Sequence, residues 1–229
     1  MARSGRRRPG QRPPRRKQTE QLHRVLVVSE GSLTEPEYFE RLNQNLRQCQ
    51  GKARVQLIVR PRAGASNHDP NPEKVVQRCI DLVEEDRSKH AKDTDILPYA
   101  RAFAVVDVDQ WDDGTPSPLE KALTLARRDG RVDLVISNPQ FEVWLLLHRD
   151  LNPPATAQEI ISQCDRYGLM VGRRGKGLSS DFPVADFRRV LREAPNRVKG
   201  RLNMKEAAPS TAVADMVGAL LKLIDEPAP

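Results

Sequence analysis

The sequence predicts an α/β protein with a mostly parallel sheet of four strands, helices on both faces and a helical C-terminal part. Apolar runs typical of strands alternate four times with helical patterns, and this alternation favours parallel pairing. The first run is continuous rather than alternating with polar residues, which indicates a strand buried on both faces. Beyond Asp150 the pattern is helical only.

The first half of the predicted core begins with the apolar run "RVLVVSEG" (24–31), a strand. A helix follows it, in which Thr34 and Glu37 have the spacing of a capping box. "VQLIVR" (55–60) is the second strand, and residues 73–90 place their apolar side chains on one helical face. These four segments form two strand–helix units in sequence.

The second half of the core contains the other two strands, 102–109 and 132–138. The helix between them is stopped by Gly130. After the fourth strand, Asn138 caps a helix that has Pro139 at its first position. The later helices are predicted over residues 156–167, 183–200 and 211–224.

The composition excludes several classes of protein. Charged residues make up 30% of the 229 and apolar residues 38%, as in ordinary globular domains. No apolar run approaches the roughly 20 residues that cross a bilayer, and the N-terminus lacks the apolar core of a signal peptide. The three cysteines lack metal or disulfide spacing, which fits reduced thiols in the cytoplasm. We therefore expect a cytoplasmic protein without a membrane partner.

The chain is expected to have three parts: a basic tail (1–20), an α/β core (21–150) and a helical extension packed on it (151–229). The first 17 residues hold eight Lys and Arg and no acid, so the net charge of +7 becomes about −1 without them. Such a segment is expected to be disordered. It is either a solubilising extension or a nonspecific grip on phosphates.

Acidic residues follow two of the predicted strands. In "RAFAVVDVDQWDDG" (101–114), Asp107 and Asp109 close the third strand, and Glu30 closes the first. The carboxyl ends of parallel strands meet at one edge, where ligands bind in open α/β folds. If the first and third strands are neighbours, the three carboxylates converge there. Asp107 and Asp109 are two positions apart, which puts them on one face of a continuous strand.

Converging carboxylates raise each other's pKa values unless a cation lies among them. Oxygen ligands suit Mg²⁺ or Mn²⁺ and suit zinc poorly. Carboxylate-bound Mg²⁺ can activate a water and neutralise phosphate charge, which is the usual apparatus for cutting or transferring phosphodiesters. The alternative is that the two aspartates merely end the strand and cap the next turn.

Three more residues are candidates for this site. Glu35 and Glu142 each lie in the first turn of a helix that starts at the same edge, so they can complete the cluster or simply favour the helix dipole. Lys176, in the glycine-rich "GRRGKG" (172–177), is the candidate for stabilising the charge of a phosphate.

Three motifs, in order, resemble the RloB family of bacterial defence proteins, which is related to the Toprim fold. They are "VVSEGSLTEPEYF", "VVDVDQWDD" and "SNPQFEVWLLLH", within roughly residues 24–150, and "NMKEAAPSTAVADMV" is similar to the C-terminal part of the family. Toprim sites often have a glycine after the second Asp, where this chain has Gln110 and Trp111.

The resemblance implies a Toprim-like core in which Glu30 is a general acid/base or metal ligand and Asp107 and Asp109 hold Mg²⁺ or Mn²⁺. It also implies a role against phage, an ATPase partner and a nucleic-acid target, tRNA or DNA. We therefore expect a metal-dependent nuclease. Two alternatives stay open: a nucleotidyl- or phosphotransferase with the same acids, and a noncatalytic subunit that docks an ATPase. The oligomeric state is also open.

Overall fold

The computed structural model describes residues 21–61, 71–95, 97–109, 111–171 and 177–226. Its main sheet contains the four predicted strands, and all three pairings among them are parallel, in the order β2–β1–β3–β4. The strands are β1 (Gln21–Ser29), β2 (Ala53–Arg60), β3 (Tyr99–Asp107) and β4 (Val132–Asn138). The prediction of a mostly parallel α/β sheet is confirmed.

Three short strands follow Asp150, where the sequence predicted helices only. They are β5 (Met170–Val171), β6 (Gly177–Leu178) and β7 (Ser210–Thr211). β5 and β6 form a separate antiparallel pair, whereas β7 joins the main sheet antiparallel to β4 and makes it five-stranded. Strands of two residues are too short to produce a periodic apolar pattern, so the sequence gives no sign of them.

Seven α-helices accompany the strands in the described part of the chain. They are α1 (Thr34–Leu46), α2 (Pro72–Lys92), α3 (Pro118–Asp129), α4 (Glu142–Leu146), α5 (Ala157–Arg166), α6 (Phe187–Glu193) and α7 (Val213–Asp225). The predicted stop of α3 is confirmed, because Gly130 adopts the left-handed conformation, with φ 71°. None of the helices within the described ranges is long and apolar enough to cross a bilayer.

Apolar side chains cover both faces of the sheet. Val25 and Val27 of β1 belong to one buried cluster with residues of α1, α4 and α7, and Leu26 and Val28 belong to another with residues of α2 and α3. All four valine and leucine side chains are at most 1% exposed. This two-sided burial is the reason for the continuous apolar run. The first cluster also contains Phe187 and other residues of the C-terminal part.

Two predicted helix caps are wrong. The cap position of α1 is Leu33 and Thr34 is its first helical residue, and the Glu37 carboxylate accepts a hydrogen bond from the Leu178 backbone N–H at 2.7 Å. Asn138 ends β4, α4 begins only at Glu142, and the Asn138 amide donates to the Glu206 carbonyl at 2.8 Å. In both cases a side chain that the local pattern assigned to a helix cap, Glu37 or Asn138, instead forms a hydrogen bond with a residue distant in sequence.

Two predicted segments have different bounds. The third strand ends at Asp107 rather than at residue 109, because Asp109 turns into the left-handed region, with φ 31°. The helix predicted over 183–200 shortens to α6, because Pro195 forces Ala194 into extended backbone, with ψ 133°.

Candidate functional site

The ends of β1 and β3 meet at one edge of the sheet. Ser29 pairs with Val105 in the parallel ladder, and the Glu30 backbone N–H donates to the Val105 carbonyl at 3.0 Å. The first and third strands are therefore neighbours, as the convergence of Glu30 and Asp107 requires.

Glu30 is held in place by two donors. The Asp107 backbone N–H donates to its Oε2 at 3.2 Å, and the Trp111 indole Nε1 donates to its Oε1 at 3.0 Å. Burial raises the pKa of Glu30 from 4.5 to about 7; these two hydrogen bonds lower it, and the charges of Glu35 and Asp109 raise it. A carboxyl group with this pKa exchanges its proton at neutral pH, as a general acid or base must.

Asp107 carries the least satisfied polar atom of the site. Its Oδ1 is buried and has no hydrogen-bond partner among the described residues. Burial raises the pKa of Asp107 well above its usual range, and the charges of Glu35, Glu142, Glu30 and Asp109 raise it further. The five predicted acids thus act on one another electrostatically. A buried oxygen in such a field is either protonated or paired with a cation.

Glu35 lies against the loop that follows Glu30. It is 7% exposed, and its Oε1 accepts a hydrogen bond from the Gly31 backbone N–H at 3.0 Å. A Cβ atom at position 31 would lie 2.0 Å from Glu35 Oε2, so the carboxylate occupies the space that a side chain there would need. Gly31 is therefore part of the site, because its missing side chain admits Glu35.

Asp109 and Glu142 complete the cluster from other elements. The prediction that Asp107 and Asp109 share one strand face is wrong, because the strand has ended before Asp109. Asp109 is exposed, and its backbone N–H donates to the Pro139 carbonyl at 3.0 Å, which ties the loop after β3 to the loop after β4. Glu142 is the first residue of α4, and the charges of both Asp109 and Glu142 raise the pKa of Asp107.

The carboxylates of this cluster are ligands of the kind that a divalent cation prefers, but their present arrangement does not form a complete metal site. No group of three or more His, Cys, Asp or Glu side chains in the described ranges already has the arrangement that holds a metal ion. However, the unpartnered Asp107 Oδ1 lies among carboxylates that repel it, which is the environment that a cation relieves. Carboxylate oxygens alone suit Mg²⁺ or Mn²⁺. Shifts of Glu35, Asp109 and Glu142 would have to accompany binding.

Two residues near the site were missed by the sequence reasoning. Trp111 orients Glu30, because its indole Nε1 donates a hydrogen bond to Glu30 Oε1. Lys205 forms an ion pair with Asp112, in the loop after β3, so it brings a cation to the acidic edge from the C-terminal part. Lys205 reaches Asp112 because residues 199–211 run alongside β4. This segment has no periodic apolar pattern, so its position could not be predicted from the sequence.

Lys176 lies outside the described residues, as do the tail and most of the loop between β2 and α2. His148 is only 1% exposed and packs against the rings of Tyr38, Trp144 and Phe182. Burial lowers its pKa from 6.5 to about 4. It is therefore a neutral packing residue.

A comparison with protein families gives one match: the family model described as RloB-like protein covers residues 25–220. The matched range contains the whole carboxylate cluster and the segment that carries Lys205. No curated protein matches the chain, and no solved structure matches it.

Proposed function

The chain belongs to the RloB-like protein family, and from this membership and the carboxylate cluster we propose that it is a Mg²⁺- or Mn²⁺-dependent nuclease with a Toprim-like core. Its substrate is RNA, such as tRNA, or DNA. The observation that carries the proposal is the buried Asp107 Oδ1, which has no partner among the described residues, on a carboxyl group whose pKa the charges of four other carboxylates raise. The motif resemblance adds a role in anti-phage defence beside an ATPase partner.

In this proposal the acids have separate roles. Asp107, Asp109 and Glu35 would hold the ion, and Glu142 would orient a water molecule bound to it. When bound, the ion supplies positive charge for a phosphate oxygen and lowers the pKa of a water. Glu30 accepts or returns a proton, which its pKa of about 7 allows at neutral pH. Trp111 keeps the Glu30 carboxylate in one orientation through its indole N–H.

The test is cleavage of total tRNA and of plasmid DNA by the purified full chain, with Mg²⁺ or with EDTA. We expect discrete fragments with Mg²⁺ only, and a loss of at least a hundredfold in rate for Asp107→Asn, which preserves the shape of the side chain. The matched control is Asp113→Asn, an exposed loop acid outside the cluster, which should retain full activity. Equal rates for both variants would refute the assignment.

A second candidate is a noncatalytic subunit that docks an ATPase. The observation in its favour is that both Glu30 oxygens already accept hydrogen bonds and that the described acids form no ready-made metal cage. A folded chain that binds no Mn²⁺ and cleaves neither substrate, even with the ATPase present, would favour it. Growth arrest and fragmented nucleic acid in cells expressing the pair, abolished by Asp107→Asn, would favour the nuclease.

A further inference from the structure

The ammonium group of Lys205 lies beside the carboxylate cluster without belonging to it. Its Nζ forms an ion pair with Asp112, in the loop after β3. Asp112 directly follows Trp111, whose indole donates to Glu30 Oε1 at 3.0 Å. The Trp111 backbone N–H also donates to the Val108 carbonyl at 2.8 Å, which folds this loop back toward the end of β3. The partner of Lys205 is therefore the immediate neighbour of the residue that orients Glu30.

Two anchors fix the backbone around Lys205. Two residues before it, the Asn203 Oδ1 accepts from the Leu134 backbone N–H at 2.8 Å, and the Asn203 backbone N–H donates to the Leu134 carbonyl at 2.9 Å. One residue after it, the Glu206 carbonyl accepts from the Asn138 side chain at 2.8 Å. Asn138 is the last residue of β4. Lys205 is thus held at the carboxyl end of this strand by contacts that do not involve its own side chain.

The same end of β4 is tied to one of the proposed metal ligands. Pro139 follows Asn138 in the chain, and its carbonyl accepts a hydrogen bond from the Asp109 backbone N–H at 3.0 Å. The segment of Lys205 therefore connects to Asp109 through the end of β4, and the Lys205 side chain connects to Glu30 through the loop after β3. Both connections place its charge at the carboxylate edge.

The ion pair itself is poorly explained as a stabilising contact. The side chains of Lys205 and Asp112 are 36% and 44% exposed. Water screens an ion pair at this exposure, so it contributes little to stability, and the two anchors already hold the segment. A lysine ammonium is a compact charge on a flexible stem. Lys205 can therefore leave Asp112 for another anion at the same edge.

A nucleic acid would bring several phosphates to this edge, where acids repel them. A divalent cation at Asp107 neutralises charge at one point, whereas the neighbouring phosphates face acids that already repel one another. The Lys205 ammonium can bind one of these phosphates, as lysine side chains do along nucleic-acid backbones. In the free chain Asp112 occupies the ammonium group, so it competes with the phosphate.

We propose that Lys205 binds a backbone phosphate of nucleic acid at the carboxylate edge, and that Asp112 restrains Lys205 until the phosphate replaces it. The choice of nucleic acid as the anion rests on the proposed nuclease function. Lys205 is then a substrate-binding residue, and Asp112 regulates its availability. The two residues should have opposite effects on affinity, whereas the partners of a purely structural pair should have the same effect.

The test is fluorescence anisotropy of the full chain in EDTA with a fluorescein-labelled tRNA and with a short labelled DNA duplex, between about 50 and 200 mM NaCl. EDTA prevents metal-dependent cleavage during the measurement. The variants are Lys205→Gln, Asp112→Asn and the double variant. The matched controls are Glu85→Gln and Lys89→Gln, which break an exposed ion pair of α2. Melting temperatures establish that every variant folds.

For at least one probe, we expect Lys205→Gln to bind about fivefold more weakly, with a salt slope smaller by about one. Asp112→Asn should bind about threefold more tightly, because it releases Lys205 from the ion pair. The double variant should bind like Lys205→Gln to within about twofold, since Asp112 acts through Lys205. The two control variants should each change the affinity by less than about twofold.

Weaker binding by both Lys205→Gln and Asp112→Asn would overturn the proposal, because the pair would then only hold the loop. Equal shifts in the control variants would reduce the effect to net charge and overturn it as well. Unchanged affinity in Lys205→Gln, or no binding of either probe to the unmodified chain, would remove the phosphate contact. Unchanged affinity in Asp112→Asn would remove the restraint.

The outcome is distinguishable from that of the nuclease proposal, because binding in EDTA does not require cleavage. If Lys205→Gln and Asp112→Asn shift the affinity in opposite directions but the unmodified chain leaves both probes intact with Mg²⁺, Lys205 binds phosphate and the nuclease proposal fails. If the unmodified chain cleaves and Lys205→Gln binds and cleaves equally well, the nuclease proposal survives and this one fails.

Discussion

At the scale of single residues, the carboxylate edge depends on side chains that are tightly constrained by their neighbours. Gly31 leaves room for the Glu35 carboxylate, and Trp111 gives Glu30 one of its two donors. The acids themselves could be predicted from the sequence, because Glu30 and Asp107 directly follow long apolar runs. Their supporting residues could not, because a glycine after a strand and a tryptophan in a loop have many ordinary explanations.

Replacing Gly31 by alanine should disturb the site more than the fold. The new methyl group meets the end of the Glu35 side chain, which can move, so the free energy of unfolding should fall by only about 1 kcal/mol. The displaced carboxylate should weaken Mn²⁺ binding about tenfold in calorimetric titration. Gly218→Ala is the control, since nothing lies within 4 Å of that Cβ position in α7. It should leave Mn²⁺ binding unchanged and stabilise the helix by up to about 1 kcal/mol.

Replacing Trp111 by phenylalanine should change the proton affinity of Glu30. The indole hydrogen bond lowers the pKa of Glu30, so its loss should raise that pKa above 7 by up to about one unit. If Glu30 is the base, the acidic limb of the pH–rate profile for cleavage moves upward by the same amount. Glu30→Gln should remove the limb altogether. A profile that is identical in Trp111→Phe and the unmodified chain would argue against this role.

At the scale of elements, long-range contacts decide what local patterns leave open. Sequence periodicity predicted the four parallel strands, because burial on both faces leaves a continuous apolar signal. It failed for Glu37, whose partner Leu178 is 141 residues away. It also failed for the end of β3. Asp107, Val108 and Asp109 continue the alternation of polar and apolar residues that is typical of a strand, but the backbone leaves the extended conformation at Asp109.

The segment after α6 is fastened to β4 by Asn203. Its Oδ1 accepts from the Leu134 backbone at 2.8 Å, and its Nδ2 donates to Asp133 at 2.8 Å. Asn203→Gly removes both bonds but tolerates the left-handed backbone, with φ 61°. We expect a loss of about 2–3 kcal/mol in the free energy of unfolding, measured in urea. Met204→Ala, at the exposed neighbouring position, should cost no more than about 0.5 kcal/mol; an equal loss in both would contradict this role for Asn203.

At the scale of the whole molecule, a charge imbalance distinguishes the two edges of the sheet. Carboxylates gather beyond the carboxyl ends of β1 and β3, and cations gather where β1 and β2 begin. The sequence showed the acids, but the opposition of the two edges follows only from the parallel register of β1 and β2.

The stability of the metal-free protein should fall as the pH rises from 6.5 to 8. The pKa of Glu30 is about 7 in the fold and 4.5 when unfolded, so its contribution is complete below pH 4.5 and is lost as the pH rises through 7. Glu30 alone should account for about 1 kcal/mol between pH 6.5 and 8, and Asp107 acts in the same direction. Buried His148, with a pKa of about 4 against 6.5 when unfolded, opposes this trend mainly below pH 6.5 and by about 0.4 kcal/mol above it. Urea unfolding at several pH values measures the slope, which Glu30→Gln should flatten; an unchanged slope in that variant would contradict the assignment.

Binding of a divalent cation to the carboxylate edge through Asp107 can be measured by isothermal titration calorimetry of Mn²⁺ into the full chain at pH 7.5, beside Asp107→Asn and the control Asp113→Asn. We expect saturable binding to the unmodified chain and to the control, with affinity at least tenfold weaker in Asp107→Asn. Equal affinity in all three chains, or no binding to the folded unmodified chain, would contradict this expectation.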